Sequence, residues 1–296
     1  MNDYLVSMLL GIVEGLTEFL PISSTAHLRI AEQVLRGPAI LTDPYWKMYT
    51  IVIQLGAILA LLLLFLPRIF EFVRTFPKGE NGRNTVWDHP LTLTFIAFLC
   101  TAIPAKLLVK RVGENLENMK VIALALLIGG IVMWIVDAWA GRRDRTTGAG
   151  TNHVEQMSLL QAIWIGLCQV TSAVIPGTSR SMSTITAGQI AGMSRPSALE
   201  FSFLLSIPTM IAATLYSLLK ALHPGLTEGA DALTPLVMSG HGWIVLAIGF
   251  VVSFVVALGI VEWFLRWVRI HGFTVFAIYR IILGAGLLLW ARHHLA

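Results

Sequence analysis

Two stretches concentrate reactive side chains in a chain that is otherwise apolar. The first, residues 14 to 27, reads Glu-Gly-Leu-Thr-Glu-Phe-Leu-Pro-Ile-Ser-Ser-Thr-Ala-His. Glu14 and Glu18 stand four residues apart, so on a helix they share a face. Pro21 breaks that helix, and Ser23, Ser24 and Thr25 fall where a second one would start, with His27 in its first turn. The second stretch is Pro-Gly-Thr-Ser-Arg-Ser at residues 176 to 181, carrying Thr178, Ser179, Arg180 and Ser181 ahead of another short helix.

These residue types in this order suit a phosphate. Unpaired amides and the positive end of the dipole make a helix N-terminus an anion site, and the flanking hydroxyls add donors. Arg180 offers a planar fork matched to phosphate oxygens. Carboxylates beside a bound phosphate would repel it unless a hard divalent cation bridged them or one Glu were protonated, so Glu14 and Glu18 are candidate ligands of a cation such as Mg2+ or Ca2+. His27 follows Ser24 by three residues and is placed to take a proton from its hydroxyl or give one to a leaving oxygen. The parts are those of phosphoryl transfer, with Ser24 or a water activated by His27 or Glu18 as nucleophile.

Each residue also has a plainer reading. Ser and Thr in membrane helices usually pack or cap. An intramembrane arginine, by contrast, costs roughly 2.5 to 3.5 kcal/mol on insertion scales, which argues against Arg180 as a bystander. Lys106, Asp137, Glu200, Glu262 and Arg280 also fall in or near apolar stretches, where snorkelling or internal ion pairing is the default. Cys100 and Cys168 read as packed thiols.

The elements that position these groups follow from hydropathy. The 296 residues are 56% hydrophobic and 13% charged, with a mean hydropathy of +0.74, and several apolar runs approach the roughly 20 residues that cross a bilayer. The fold class is an all-α polytopic membrane protein. Net charge is +4, but Lys and Arg are scattered through short loops rather than set in a stripe, so no nucleic-acid partner is implied. Met-Asn-Asp-Tyr at the start lacks a basic n-region, and no removable signal peptide is expected.

Residues 4 to 36 read as a re-entrant helical hairpin broken at Pro21, followed by spans at about 46–66, 91–111 and 119–139, the first ended by Pro67. A polar linker covers 141–158. The plan then repeats in 159–296: a hairpin at 159–192 broken between Ser172 and Arg180, then spans near 199–220, 243–265 and 274–290. Gly15-Leu16 and Gly166-Leu167 are 151 apart, Pro21 and Pro176 are 155 apart, and Ala123 to Gly130 matches Ala277 to Gly284 at an offset of 154. A nearly constant offset points to duplication. With three crossings per half, the halves 1–140 and 159–296 form an inverted repeat of six spans and two re-entrant pairs. Basic residues in short loops divide ten against six, which puts Arg68, Arg74, Arg142, Arg195 and Arg266 on the cytoplasmic side and the mouth of the first hairpin outside.

The two motifs, with Glu200-Phe-Ser-Phe-Leu-Leu and Phe276-Ala-Ile-Tyr-Arg280, closely resemble those of the bacterial undecaprenyl-diphosphatase or bacitracin-resistance family, although Ala26 and Met182 stand where that family commonly has glycine. The resemblance implies hydrolysis of a polyprenyl diphosphate lipid, undecaprenyl diphosphate, to the monophosphate and phosphate. It also implies divalent-cation dependence, a plasma-membrane site facing the outer side, and recycling of the cell-wall lipid carrier. Carried over by position, Glu14 and Glu18 become the metal and proton-handling carboxylates, Ser24 the nucleophile, His27 its acid/base partner and Arg180 the phosphate clamp. Ser23, Thr25, Thr178, Ser179 and Ser181 become substrate-binding hydroxyls. A homodimer is left open. An inverted-repeat transporter or flippase of polyprenyl phosphate would need the same anion site but no nucleophile and base, and a lipid-binding scaffold would need neither.

Overall fold

A computed structural model of the chain describes residues 2–37, 40, 43–79, 85–112, 118–148, 150–222 and 239–294. Among them are ten α-helices and no strand: α1 Asp3–Thr17, α2 Ser24–Arg36, α3 Pro44–Thr75, α4 Pro90–Val112, α5 Met119–Thr146, α6 Leu159–Val174, α7 Arg180–Ile190, α8 Arg195–Leu222, α9 Gly240–His271 and α10 Thr274–His294. Their starts are encoded locally. The Asn2, Asp43 and Asn118 side chains accept from the free amides of Tyr4, Tyr45 and Lys120, and Ser158 with Gln161 closes a capping box on α6. Six helices, α3, α4, α5, α8, α9 and α10, are long and apolar enough to cross a membrane, so this is a multi-pass integral membrane protein. Arg83 and most of the 223–242 connection lie outside the described residues.

Two boundaries differ from the sequence reading. Pro67 does not end the first span, because α3 continues to Thr75 with Pro67 inside it. A proline deletes one helical hydrogen bond but stops a helix only where the next turn lacks its own anchors. Here Arg68 donates to Glu71 (2.8 Å), Glu200 (2.9 Å) and Glu155, and Phe72 is buried. The linker is also shorter than 141–158: α5 runs to Thr146, and Arg143 donates to the carbonyls of Gln189 and Met193, both at 3.1 Å. Basic residues in a last turn suit the helix dipole and exposed carbonyls, which is why a stretch rich in arginine extends this helix.

In each short helix pair the outer ends lie together. Asp3 at the head of α1 pairs with Arg36 at the tail of α2, while Gln161 near the head of α6 donates to Ala191 just past α7 at 2.8 Å. Packing between the halves is reciprocal: α1 lies on α9 as α6 lies on α4, α3 on α9 as α8 on α4, and α5 packs on α10. Close approach relies on glycine. A Cβ on Gly11 would sit 2.7 Å from the Gly249 carbonyl, and one on Gly166 would sit 2.4 Å from that of Ala97.

Most of the charged residues in spans are paired, as the default reading expects. Glu200 meets Arg68 and Glu262 meets Arg266, and Lys106 is exposed. Asp137 is fully buried yet saturated: it accepts from Gln189 (3.0 Å), Arg195 (2.7 Å), the Phe273 amide (3.1 Å) and Thr274 (3.1 Å). It thus joins α5, α7, α8 and the α9–α10 turn. Asp137→Ala, which strands the half-buried Arg195 and three further donors, is expected to cost about 3–5 kcal/mol of stability. Denaturant unfolding in detergent micelles measures it, and a midpoint unchanged from wild type would refute the role.

Candidate active site

The two interhelical turns meet inside the bundle. Ser181 at the start of α7 donates to the Leu20 carbonyl at 3.1 Å, and Arg180 lies 3.6 Å from Glu18. Both turns share a conformation that the sequence does not advertise. Ser23 has φ +75° and Ser179 φ +70°, and they are the only non-glycine residues with positive φ among the described residues. Such a conformation costs on the order of 1–3 kcal/mol and persists only where the surroundings impose it. Each serine caps the helix that follows, Ser23 accepting from the Ala26 amide and Ser179 from that of Met182. The strain therefore appears at equivalent positions in the two halves.

Glu18 sits between the groups that could react. One carboxylate oxygen accepts from the Ser24 hydroxyl at 2.5 Å, and the other faces Arg180. The guanidinium of Arg180 is held by that carboxylate and by the Phe19 ring, whose centroid is 5.7 Å from its central carbon. All three of its nitrogens are buried without a hydrogen-bond partner. An arginine with no donor committed inside a protein is costly unless a ligand collects those donors, and a planar fork suits phosphate oxygens.

A cavity of about 280 Å³ opens over this pair. Its wall takes Glu18, Ser23, Ser24 and Thr25 from the first turn, and Ser179 and Arg180 from the second. The rest includes four polar residues that sequence reasoning does not single out as site residues: Gln54 on α3, Ser172 on α6, and Thr209 and Thr214 on α8. A glutamine or paired threonines within an apolar span was the available signal, since polar side chains there are expensive. Thr178 and Ser181 are not on the wall, and Ser181 is fully buried with its hydroxyl spent on Leu20.

His27 is not placed beside Ser24. Its Nδ1 donates to the Ser23 carbonyl at 2.7 Å, and with that proton on Nδ1 its Nε2 accepts from the Tyr279 hydroxyl at 2.7 Å. The ring stacks on Tyr279 with centroids 5.6 Å apart and does not line the cavity. Three residues along a helix leave side chains about 60° apart, enough here for Ser24 to face the cavity and His27 to face α10. The titratable side chain within hydrogen-bond reach of the Ser24 hydroxyl is Glu18, not His27.

Glu14, one turn before Glu18, is fully buried, and both its carboxylate oxygens lack a hydrogen-bond partner. No cluster of three or more His, Cys, Asp or Glu that could hold a metal occurs among the described residues. Two carboxylates nevertheless fit a hard divalent cation of the kind that takes one or two protein oxygens and completes its shell with water and substrate phosphate. The unpartnered oxygens of Glu14 fit the chemistry of such a ligand, although Glu14, unlike Glu18, is not on the cavity wall.

The chain matches the family described as bacitracin resistance protein BacA over residues 7–286. It is 60% identical over 291 residues to an undecaprenyl-diphosphatase of Koribacter versatilis, covering 98% of this chain and 99% of that protein. It is 43% identical over 289 residues to one of Rhizobium etli, covering 97% and 96%, and 40% identical over 295 residues to one of Xanthomonas oryzae pv. oryzae, covering 98% of each.

Proposed function

The chain belongs to the bacitracin-resistance BacA family, and we propose that its central cavity is where it acts as an undecaprenyl-diphosphatase, cleaving undecaprenyl diphosphate to undecaprenyl phosphate and inorganic phosphate. The observation that carries the mechanism is the Ser24–Glu18–Arg180 array at the meeting of the two turns.

The terminal phosphate binds against the free donors of Arg180, with the Ser179 and Ser24 amides at the helix starts adding positive potential. Glu18 accepts the Ser24 proton as its oxygen attacks the terminal phosphorus. The bridging P–O bond breaks, and its electron pair leaves on undecaprenyl phosphate. A water then attacks the phosphoserine: the phosphorus–Ser24 oxygen bond breaks as the protonated Glu18 returns its proton to that oxygen, and the water keeps one proton on the released phosphate and gives its other to bulk water. Glu14 and Glu18 would hold the divalent cation, which when bound neutralises charge on the diphosphate oxygens. A carrier would need the anion site, but not a hydroxyl held 2.5 Å from a carboxylate.

The reciprocal packing of the halves and the meeting of the outer ends within each helix pair support an inverted repeat with two re-entrant pairs, tolerable at membrane depth because the turns are enclosed by protein. The ion pairs of Arg68, Arg143 and Arg195 gather at one end of the bundle, and this end is taken as cytoplasmic by its basic excess. The site then serves the outer face of the plasma membrane.

Ser24→Ala tests the covalent route. Phosphate release is expected to fall by at least about a hundredfold, and any phosphoenzyme trapped by acid quench of the wild type should vanish. Turnover within tenfold of wild type would leave a water, activated by Glu18, as the nucleophile.

A further inference from the structure

Arg280 has no role in the chemistry above, yet among the described residues it is the largest side chain buried to 0% exposure. No carboxylate lies among its hydrogen-bond partners. Its terminal nitrogens donate instead to four carbonyls: Pro21 (3.3 Å), Ala125 (3.1 Å), Gly177 (3.3 Å) and Thr178 (3.0 Å). Pro21 belongs to the first turn, Gly177 and Thr178 to the second, and Ala125 to α5. One guanidinium therefore ties both catalytic turns to each other and to the α5–α10 pair.

The space is reserved for it. A Cβ on Gly129 would come within 2.5 Å of the Arg280 Nη2, and one on Gly130 within 3.0 Å of its Cβ. Burying a charge to satisfy carbonyls alone is expensive, and it is retained where those carbonyls must be held. Their location shows the reason. In a trans peptide the C=O and the following N–H point opposite ways. Drawing the Thr178 carbonyl to Arg280 sends the Ser179 amide away from it, and Ser179 is a cavity residue with its backbone in the left-handed region. On the first turn, the carbonyl held is that of Pro21, two residues before the equally strained Ser23.

We infer that Arg280 is a positioning residue for the hydrolase site, clamping both turns from behind through their carbonyls so that Glu18 and Ser24 of one half face Arg180 of the other. The inference rests on the proposed phosphatase reading for its kinetic consequence and on geometry alone for its structural one. Lysine in its place keeps the charge but cannot fork to both turns at once.

The test compares Arg280→Lys with wild type, purified in detergent, by steady-state phosphate release from undecaprenyl diphosphate and by hydrogen–deuterium exchange. A misplaced site should lower kcat by about 10- to 100-fold with KM within about threefold. Amide exchange should rise in peptides covering residues 18–24 and 175–181 and stay unchanged elsewhere in α5 and α10. Added guanidinium should restore part of the lost turnover in Arg280→Ala. Gly129→Ala, which displaces the same side chain, should reproduce the exchange pattern if Arg280→Lys does not fold. Wild-type kcat in Arg280→Lys, or faster exchange confined to α5 and α10 with both turns unaffected, overturns the inference. If wild-type protein releases no phosphate from this lipid, the phosphatase reading fails, and the exchange result still decides whether Arg280 holds the turns.

Discussion

Arg180→Ala should lower phosphate release from undecaprenyl diphosphate by on the order of 10³- to 10⁵-fold, the range seen when an arginine that meets transferring phosphoryl charge is removed. At the lower bound the loss corresponds to about 4 kcal/mol of transition-state stabilisation. The expectation follows from the state of the side chain before substrate arrives. Its three nitrogens are buried and uncommitted, so no internal hydrogen bond has to break for the fork to close on phosphate oxygens. The same fact predicts the effect on stability. Removing the desolvated cation relieves one burial cost but leaves the nearly buried Glu18 carboxylate without the counter-charge that faces it at 3.6 Å, so the thermal transition should fall rather than rise. Arg180→Lys should fall between the two, retaining charge without the bidentate fork. Phosphate release at a near wild-type rate from Arg180→Ala would remove this residue from the site altogether.

That arginine could be singled out from the chain because an intramembrane cation demands an explanation, and the same logic found Glu14, Glu18 and the serine clusters. The spans were equally legible. Hydropathy and local caps act over a few residues, and α4, α5, α9 and α10 lie close to where apolar runs place them. What could not be read is whatever depends on three-dimensional direction. Ser24 and His27 are neighbours by spacing, but one faces Glu18 and the other Tyr279, an orientation set by packing against α10. The positive φ of Ser23 and Ser179 left no mark in residue type, because serine there is strained by its surroundings rather than selected for the conformation. Pro67 misled for a related reason: the turns beyond it are held by Glu155 and Glu200, far along the chain. By sequence Arg280 falls in the default class of paired or snorkelling charges, and only its four carbonyl partners, distant along the chain, separate it from that class.

Glu18→Gln should be the most informative change on the first turn. The amide is nearly isosteric and can still accept the Ser24 hydroxyl through its carbonyl oxygen, so the 2.5 Å contact can survive as a hydrogen bond of ordinary length. What it cannot do is take the proton. If Glu18 is the base for the attacking oxygen, turnover should fall by about 10²- to 10⁴-fold, the usual range for positioned general-base catalysis. KM should move little, since the donors that bind phosphate belong to Arg180 and the helix starts. Glu18→Asp keeps the base but withdraws it by one methylene, and should recover part of the rate. The second partner of Glu18 sharpens the comparison with Arg180→Ala. Losing the carboxylate frees Arg180 from its counter-charge, which strengthens anion binding, so without added divalent cation Glu18→Gln should bind inorganic phosphate or a non-hydrolysable diphosphate at least as tightly as wild type. Slow turnover with tight anion binding separates a proton-handling group from a binding one. Loss of both together would instead mean that Glu18 holds the site's shape, and that the proton of Ser24 leaves by another route.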